Sequence, residues 1–280
     1  MSGTASVELW SGKDRGDENF PVGSLLIRRD LRRHVHAFYA FARNADDIAD
    51  HPELAPEEKI RRLDLMEAVL IGAADAALAP SAAALRESLS ASGVSARHAC
   101  DLLVAFRQDA RKQRYETWEE LLEYCRHSAM PVGRHVLDLH GERPEEVYPP
   151  SDALCAALQV LNHLQDCASD LRRLDRCYIP RLWLAREGGS EAWLTAPAAP
   201  PGLRAVFAAM LDATDELIAQ ATHLPARVRN PRLARETAII VALARRLARR
   251  LRRGDPLAAR VALSPLDFAL AALRGLFRRP

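Results

Sequence analysis

Two aspartate pairs constrain this chain more than anything else in it. Asp46 with Asp50, and Asp166 with Asp170, are its only strict D-x-x-x-D spacings. If those stretches are helical, each pair lies on one helix face as neighbours, and like charges so placed repel by a few tenths of a kcal/mol. Aspartate also disfavours a helix interior. A chain that keeps both pairs therefore points to a cation.

Helix is the expectation almost everywhere. Alanine is abundant, glycine numbers only 13, and alternation of β-branched residues is hard to find. Proline and glycine punctuate at 19–23, 51–52, 79–80, 141–150, 188–202 and 254–256, leaving windows long enough for bundle helices. The stretch 195–202 resembles a linker, but helical pattern resumes after it, so it reads as a loop inside one domain. The expectation is a single all-α domain over 1–280, with 1–17 as a flexible N-terminus. Other acidic pairs (Glu116/Glu120, Glu119/Glu123, Asp212/Glu216) read as solvated faces.

What surrounds the aspartates sets them apart. Tyr39 and Arg43 share the helix face of Asp46, and Gln159 and Asn162 share that of Asp166. Phe38, Phe41, Ile48, Leu158, Val160, Leu161 and Leu164 crowd the same helices, so the carboxylates sit on buried elements and need partners. Hard carboxylate and amide oxygens suit Mg²⁺ shared with substrate phosphates. Two facing pairs with an arginine nearby would hold a diphosphate, favouring its departure and the formation of a carbocation in an apolar pocket.

At this point the residues resemble the squalene/phytoene synthases, all-α head-to-head prenyl synthases. The resemblance rests on Tyr39-Ala-Phe-Ala-Arg43-Asn-Ala-Asp46-Asp-Ile-Ala-Asp50 and Asn162-His-Leu-Gln-Asp166-Cys-Ala-Ser-Asp170. Tyr124-Cys-Arg-His-Ser-Ala-Met-Pro-Val-Gly133 and Arg176-Cys-Tyr178-Ile-Pro180 follow the family's further motifs in the expected order. Glu18-Asn-Phe-Pro-Val-Gly-Ser24 and Asn162-His-Leu-Gln-Asp166-Cys167 are similar to the hydroxysqualene synthase branch of bacterial hopanoid pathways.

The resemblance implies an isoprenoid synthase helical bundle with a central cavity. It implies Mg²⁺-dependent ionisation of presqualene diphosphate and water capture of the rearranged cation to give hydroxysqualene. It also implies two or three Mg²⁺ ions with the diphosphate, and no NADPH. Asp46, Asp50, Asn162, Asp166 and Asp170 are then the metal ligands, with the four aspartates catalytic. Tyr39, Arg43, Gln159, Gln165, Arg176 and Tyr178 are then substrate-binding. Three positions depart from the family pattern: the second motif lacks an acid before Asp170, Gln165 stands where several relatives have arginine, and Met130 replaces a small or amide residue. Two alternatives stay open: another head-to-head synthase making presqualene diphosphate, squalene or phytoene, and a non-catalytic membrane-associated relative.

Other chemistries find little support. The five cysteines form no C-x-x-C pair, the histidines no E-x-x-H, and the serines no G-x-S-x-G. His163, one position from Asn162, falls off the ligand face. With neither a signal peptide nor an apolar run long enough to span a bilayer, the chain reads as cytoplasmic.

The near-zero net charge of +2 conceals a split. From Arg227 onward there are 14 arginines, no lysine and three acids, a net +11 against −9 for the rest. Without aromatic platforms or a DNA-binding motif, nucleic acid is not the expected partner. Arginines interleaved with Leu243, Leu247 and Leu251 suit either a solvated outer helix or peripheral contact with the inner face of the cell membrane.

Overall fold

Proline and glycine cut this chain into helices where the sequence pattern requires, with one instructive exception. The computed structural model describes residues 6–8 and 27–277, with side chains to 273. The motif at 18–24 and Arg278-Arg279 lie outside the described residues, as does most of the stretch 1–17. Within that stretch, Val7 N–H donates to the Leu78 carbonyl at 2.9 Å, and the Glu8 carboxylate accepts from Ser81 N and Oγ.

All extended regular structure among the described residues is helical, and the chain divides into two compact sets. The first draws on residues 1–112 and 131–143. It contains α1 (Arg32–Ala49), α2 (Pro56–Leu70), α3 (Pro80–Ser92), α4 (Arg97–Asp109) and nearly all of α6 (Met130–Leu139), with α5 (Trp118–Ser128) belonging to the other set. Helix α1 packs on α2, α3 and α4. Phe41, Ile48, Leu63, Met66, Leu85, Leu102 and Leu103 are sealed from solvent at its core. His135 on α6 lies face to face with Phe38 of α1, ring centroids 3.9 Å apart, and His98 Nε2 meets Asp138 Oδ2 at 2.8 Å.

The second set draws on residues 113–130 and 144–280. Besides α5 it contains α7 (Pro144–Leu174), α8 (Arg181–Arg186), α9 (Pro201–Ala221), α10 (Leu224–Arg227), α11 (Pro231–Arg253) and α12 (Pro265–Phe277). Helix α7 is its axis and packs on α5, α9, α10 and α11. Here the expected break at 141–150 is displaced. The helix starts at Pro144 and runs through Pro149 and Pro150. Proline at 150 removes the N–H that would bond the Glu146 carbonyl; Arg227 Nη1 donates to that carbonyl instead, at 3.2 Å. A tertiary partner thus offsets what the local sequence disfavours.

Helix ends follow their sequence signals. Thr117 Oγ1 accepts from Glu120 N at 3.2 Å, and the Glu120 carboxylate reaches back to Glu116 N, so this glutamate caps α5 rather than merely facing water. Asn230 Oδ1 accepts from Arg232 N and Leu233 N at the start of α11. Along α11, Leu243, Leu247 and Leu251 are buried in register, as their spacing predicts. No helix among the described residues is long and apolar enough to cross a membrane.

Candidate active site

Helix α1 carries the first motif. Tyr39, Arg43, Asp46 and Asp50 are half-buried on it, Asp50 as its C-cap. Because Arg43 stands one turn before the acids, its guanidinium reaches two of them: Asp46 at 3.2 Å and Asp47 at 2.7 Å. The two acids differ in kind. The Asp47 side chain is 5% exposed and anchors the arginine; that of Asp46 keeps 35% of its surface open. Although part of its side chain stays open, desolvation by the protein packed around the carboxyl, then the charge of Asp50, pushes Asp46 well above the usual carboxylate range. Arg43 pulls the other way, and Asp109 and Asp47 add to the crowding. Lys59 Nζ donates to the Ala49 carbonyl at 2.8 Å, fixing the C-terminal turn from which Asp50 projects.

Helix α7 carries the second motif. Gln159, Asn162 and Asp170 are half-buried and Asp166 is exposed, while the intervening His163 and Gln165 are buried. Gln165 turns its amide to scaffolding: Nε2 donates to the Val261 carbonyl at 2.6 Å, holding the loop between α11 and α12. His163 stacks on Tyr178 with centroids 3.6 Å apart, and Tyr178 in turn packs on Tyr115 and Tyr124. Burial, then the nearby Arg176 charge, pushes His163 down to about 3, so the imidazole is neutral. His163 is buried, whereas Asp166, three residues on, is exposed.

Arg176 is buried and its backbone N–H bonds the Asp170 carbonyl at 3.2 Å, continuing directly from the motif. The segment is held by Arg114. Its guanidinium meets Asp175 Oδ1 at 2.6 Å and pairs with Glu191, and Cys177 N–H donates to the Gln113 carbonyl at 2.9 Å. Asp175 takes the left-handed conformation (φ 52°) that turns the chain there. Asp47, Asp109 and Arg114 are the supporting residues that sequence spacing alone does not disclose. The one available signal was Asp47 lying a turn after Arg43.

The donor chemistry fits Mg²⁺. Among the described residues, no three His, Cys, Asp or Glu side chains converge on one point. A cation would therefore take one or two carboxylates from a motif and complete its shell with water or phosphate oxygens, which is how Mg²⁺ is commonly bound. Thiolate chemistry has no footing: burial pushes Cys125 and Cys167 up to about 12.

Comparison with known proteins gives a consistent result. Residues 13–267 match the squalene/phytoene synthase family. The hydroxysqualene synthase of Rhodopseudomonas palustris is 45% identical over 269 residues, covering 96% of this chain and 91% of that protein. The hydroxysqualene synthase of Sinorhizobium fredii is 45% identical over 254 residues, covering 91% and 86%. A solved squalene synthase from Alicyclobacillus acidocaldarius is 35% identical, with a TM-score of 0.74 over 85% of this chain and 90% of that one.

Proposed function

The chain belongs to the squalene/phytoene synthase family, and on that premise we propose that it converts presqualene diphosphate to hydroxysqualene. The C–O bond to diphosphate breaks with its electron pair leaving on the diphosphate. The cyclopropylcarbinyl cation rearranges, water adds to it, and one proton passes to solvent. The observation that carries this reading is the 45% identity to hydroxysqualene synthases across almost the whole chain, with the aspartate faces of α1 and α7 left accessible.

Asp46 and Asp50 of α1 would be Mg²⁺ ligands, and so would Asn162, Asp166 and Asp170 of α7, for two or three ions in all. When bound, the ions neutralise charge developing on the leaving diphosphate. Arg43, tethered by Asp47, presents its guanidinium beside Asp46 for a diphosphate oxygen. Tyr39 and Gln159 border these ligands. Arg176 and Tyr178 support the α7 side from beneath, their burial making them positioning groups. NADPH has no part, since water rather than hydride ends the reaction. The enzyme works in the cytoplasm, with peripheral membrane contact through its basic C-terminal region.

The solved relative is called a squalene synthase, so the competing outcome is squalene. Purified protein with Mg²⁺ is given presqualene diphosphate or farnesyl diphosphate, each with and without NADPH. Hydroxysqualene from presqualene diphosphate alone is expected. Squalene appearing only with NADPH, or products formed from farnesyl diphosphate alone, would replace this reading.

A further inference from the structure

Helix α11, the loop after it and helix α12 carry two features outside the aspartate motifs. A recess of about 620 Å³ is lined by Arg246, Arg249, Arg250, Arg253 and Arg260, with Asp267 as the lone carboxylate. Asp267 is already taken: Arg246 reaches it at 3.1 Å and Arg250 at 2.6 Å. Among the described residues, Arg249, Arg253 and Arg260 have no carboxylate partner. Arg252, on the same helix, shows the contrast, since it meets Asp212 and Asp215 of α9 at 2.7 Å each. Guanidiniums gathered without counter-charge repel one another and favour a bound anion.

Helix α12 is amphipathic in the reverse sense. It buries Asp267 and Ala271 and exposes Leu266 (66%), Phe268 (39%) and Leu273 (48%). A helix on the outside of a water-soluble protein ordinarily does the opposite. Arginines with no carboxylate partner among the described residues, beside outward-facing apolar side chains, match what an anionic bilayer offers, phosphodiester oxygens above and acyl chains below. A nucleic acid would satisfy the arginines and leave the leucines in water.

We infer that α12 and the arginine recess of α11 form a docking surface for anionic phospholipid, with headgroup phosphate held by Arg249 and Arg253 and the acyl region met by Leu266, Phe268 and Leu273. This deepens the membrane contact proposed above by giving it residues and a headgroup charge. It rests on that reading only in that a water-insoluble C30 product benefits from release at a bilayer.

Full-length protein is floated with vesicles of phosphatidylcholine alone or with about 30% phosphatidylglycerol, at low and high salt. Binding is expected to be about tenfold tighter with phosphatidylglycerol and to weaken with salt. The pair R249E and R253E should weaken it by about tenfold or more while leaving thermal unfolding unchanged, since both side chains are exposed. The pair Leu266→Ser and Phe268→Ser should lower partitioning at high salt too, where only the apolar contribution persists. Equal binding to both vesicles, an unaffected R249E/R253E variant, or equal capture of duplex RNA at matched phosphate would overturn the inference. Turnover of presqualene diphosphate in detergent, measured alongside, should be the same for R249E/R253E and the parent. Failure of turnover in both would strike the proposed reaction and not the docking surface.

Discussion

The aspartate helices α1 and α7 bear the same spacing and solve different problems with it. In α1 the acids are crowded and carry their own counter-charge: Arg43 lies against Asp46 and Asp47, and Asp109 adds a further carboxylate nearby. In α7 Asp166 is exposed and Asp170 half-buried, and the motif is braced from behind by His163 stacked on Tyr178 and by Gln165 bonded to the Val261 carbonyl. An arginine inside the first motif lies on its acids, while aromatic stacking and an amide hydrogen bond brace the inner side of the second. A shared sequence pattern therefore does not imply a shared sensitivity.

Neutralising an aspartate tests this most severely. Asp46→Asn and Asp166→Asn should each lower turnover by about a hundredfold to a thousandfold, as removal of a group stabilising transition-state charge does. Their stabilities should diverge. Without Mg²⁺, Asp46→Asn relieves repulsion from Asp50, Asp109 and Asp47 and should raise Tm slightly, whereas Asp166→Asn, at an exposed position, should not raise it. Calorimetry of both variants alongside the assay reads the difference, and equal Tm shifts would erase the distinction between the helices.

Acid probes the packing side. His135 and His163 are each pushed down to about 3, mainly by burial, so each is neutral when folded and takes up its proton on unfolding. Their contribution is complete above the unfolded value of 6.5 and is lost as pH falls from there towards 3. At about pH 5.5 each should cost about 1.4 kcal/mol relative to about pH 7.5. His163→Phe, which keeps a ring against Tyr178, should remove its share of that slope in chemical denaturation. An unchanged slope would mean that His163 charges without unfolding.

The smallest effect lies with Gln165. As scaffolding for the α11–α12 loop, its replacement by Met should cost about 1 kcal/mol, the usual worth of one hydrogen bond, and should change KM less than about threefold. A tenfold rise in KM would return Gln165 to a ligand role.

The helices and their aspartate faces were legible because they depend on local rules: proline and glycine punctuation, leucine spacing in α11, and i,i+4 neighbours. Residues defined by a distant partner were not. Asp109 gains its meaning only through proximity to Asp46, and Gln165 sits beside Asp166 in sequence yet bonds a carbonyl far along the chain. Pro149 and Pro150 read as a break because their cost is local, while the Arg227 contact that offsets it at Glu146 is not. Spacing assigns residues to a face; it does not say what the other face meets.

The first helical set is written in two instalments, 1–112 and 131–143. During synthesis, Phe38 and His98 emerge long before His135 and Asp138, the side chains they contact. The nascent chain must therefore hold α1 and α4 open on one side until α6 leaves the ribosome, and a fragment ending at Lys112 would keep that exposed flank for good. That stage of synthesis is where this interrupted layout leaves apolar surface open to chaperones.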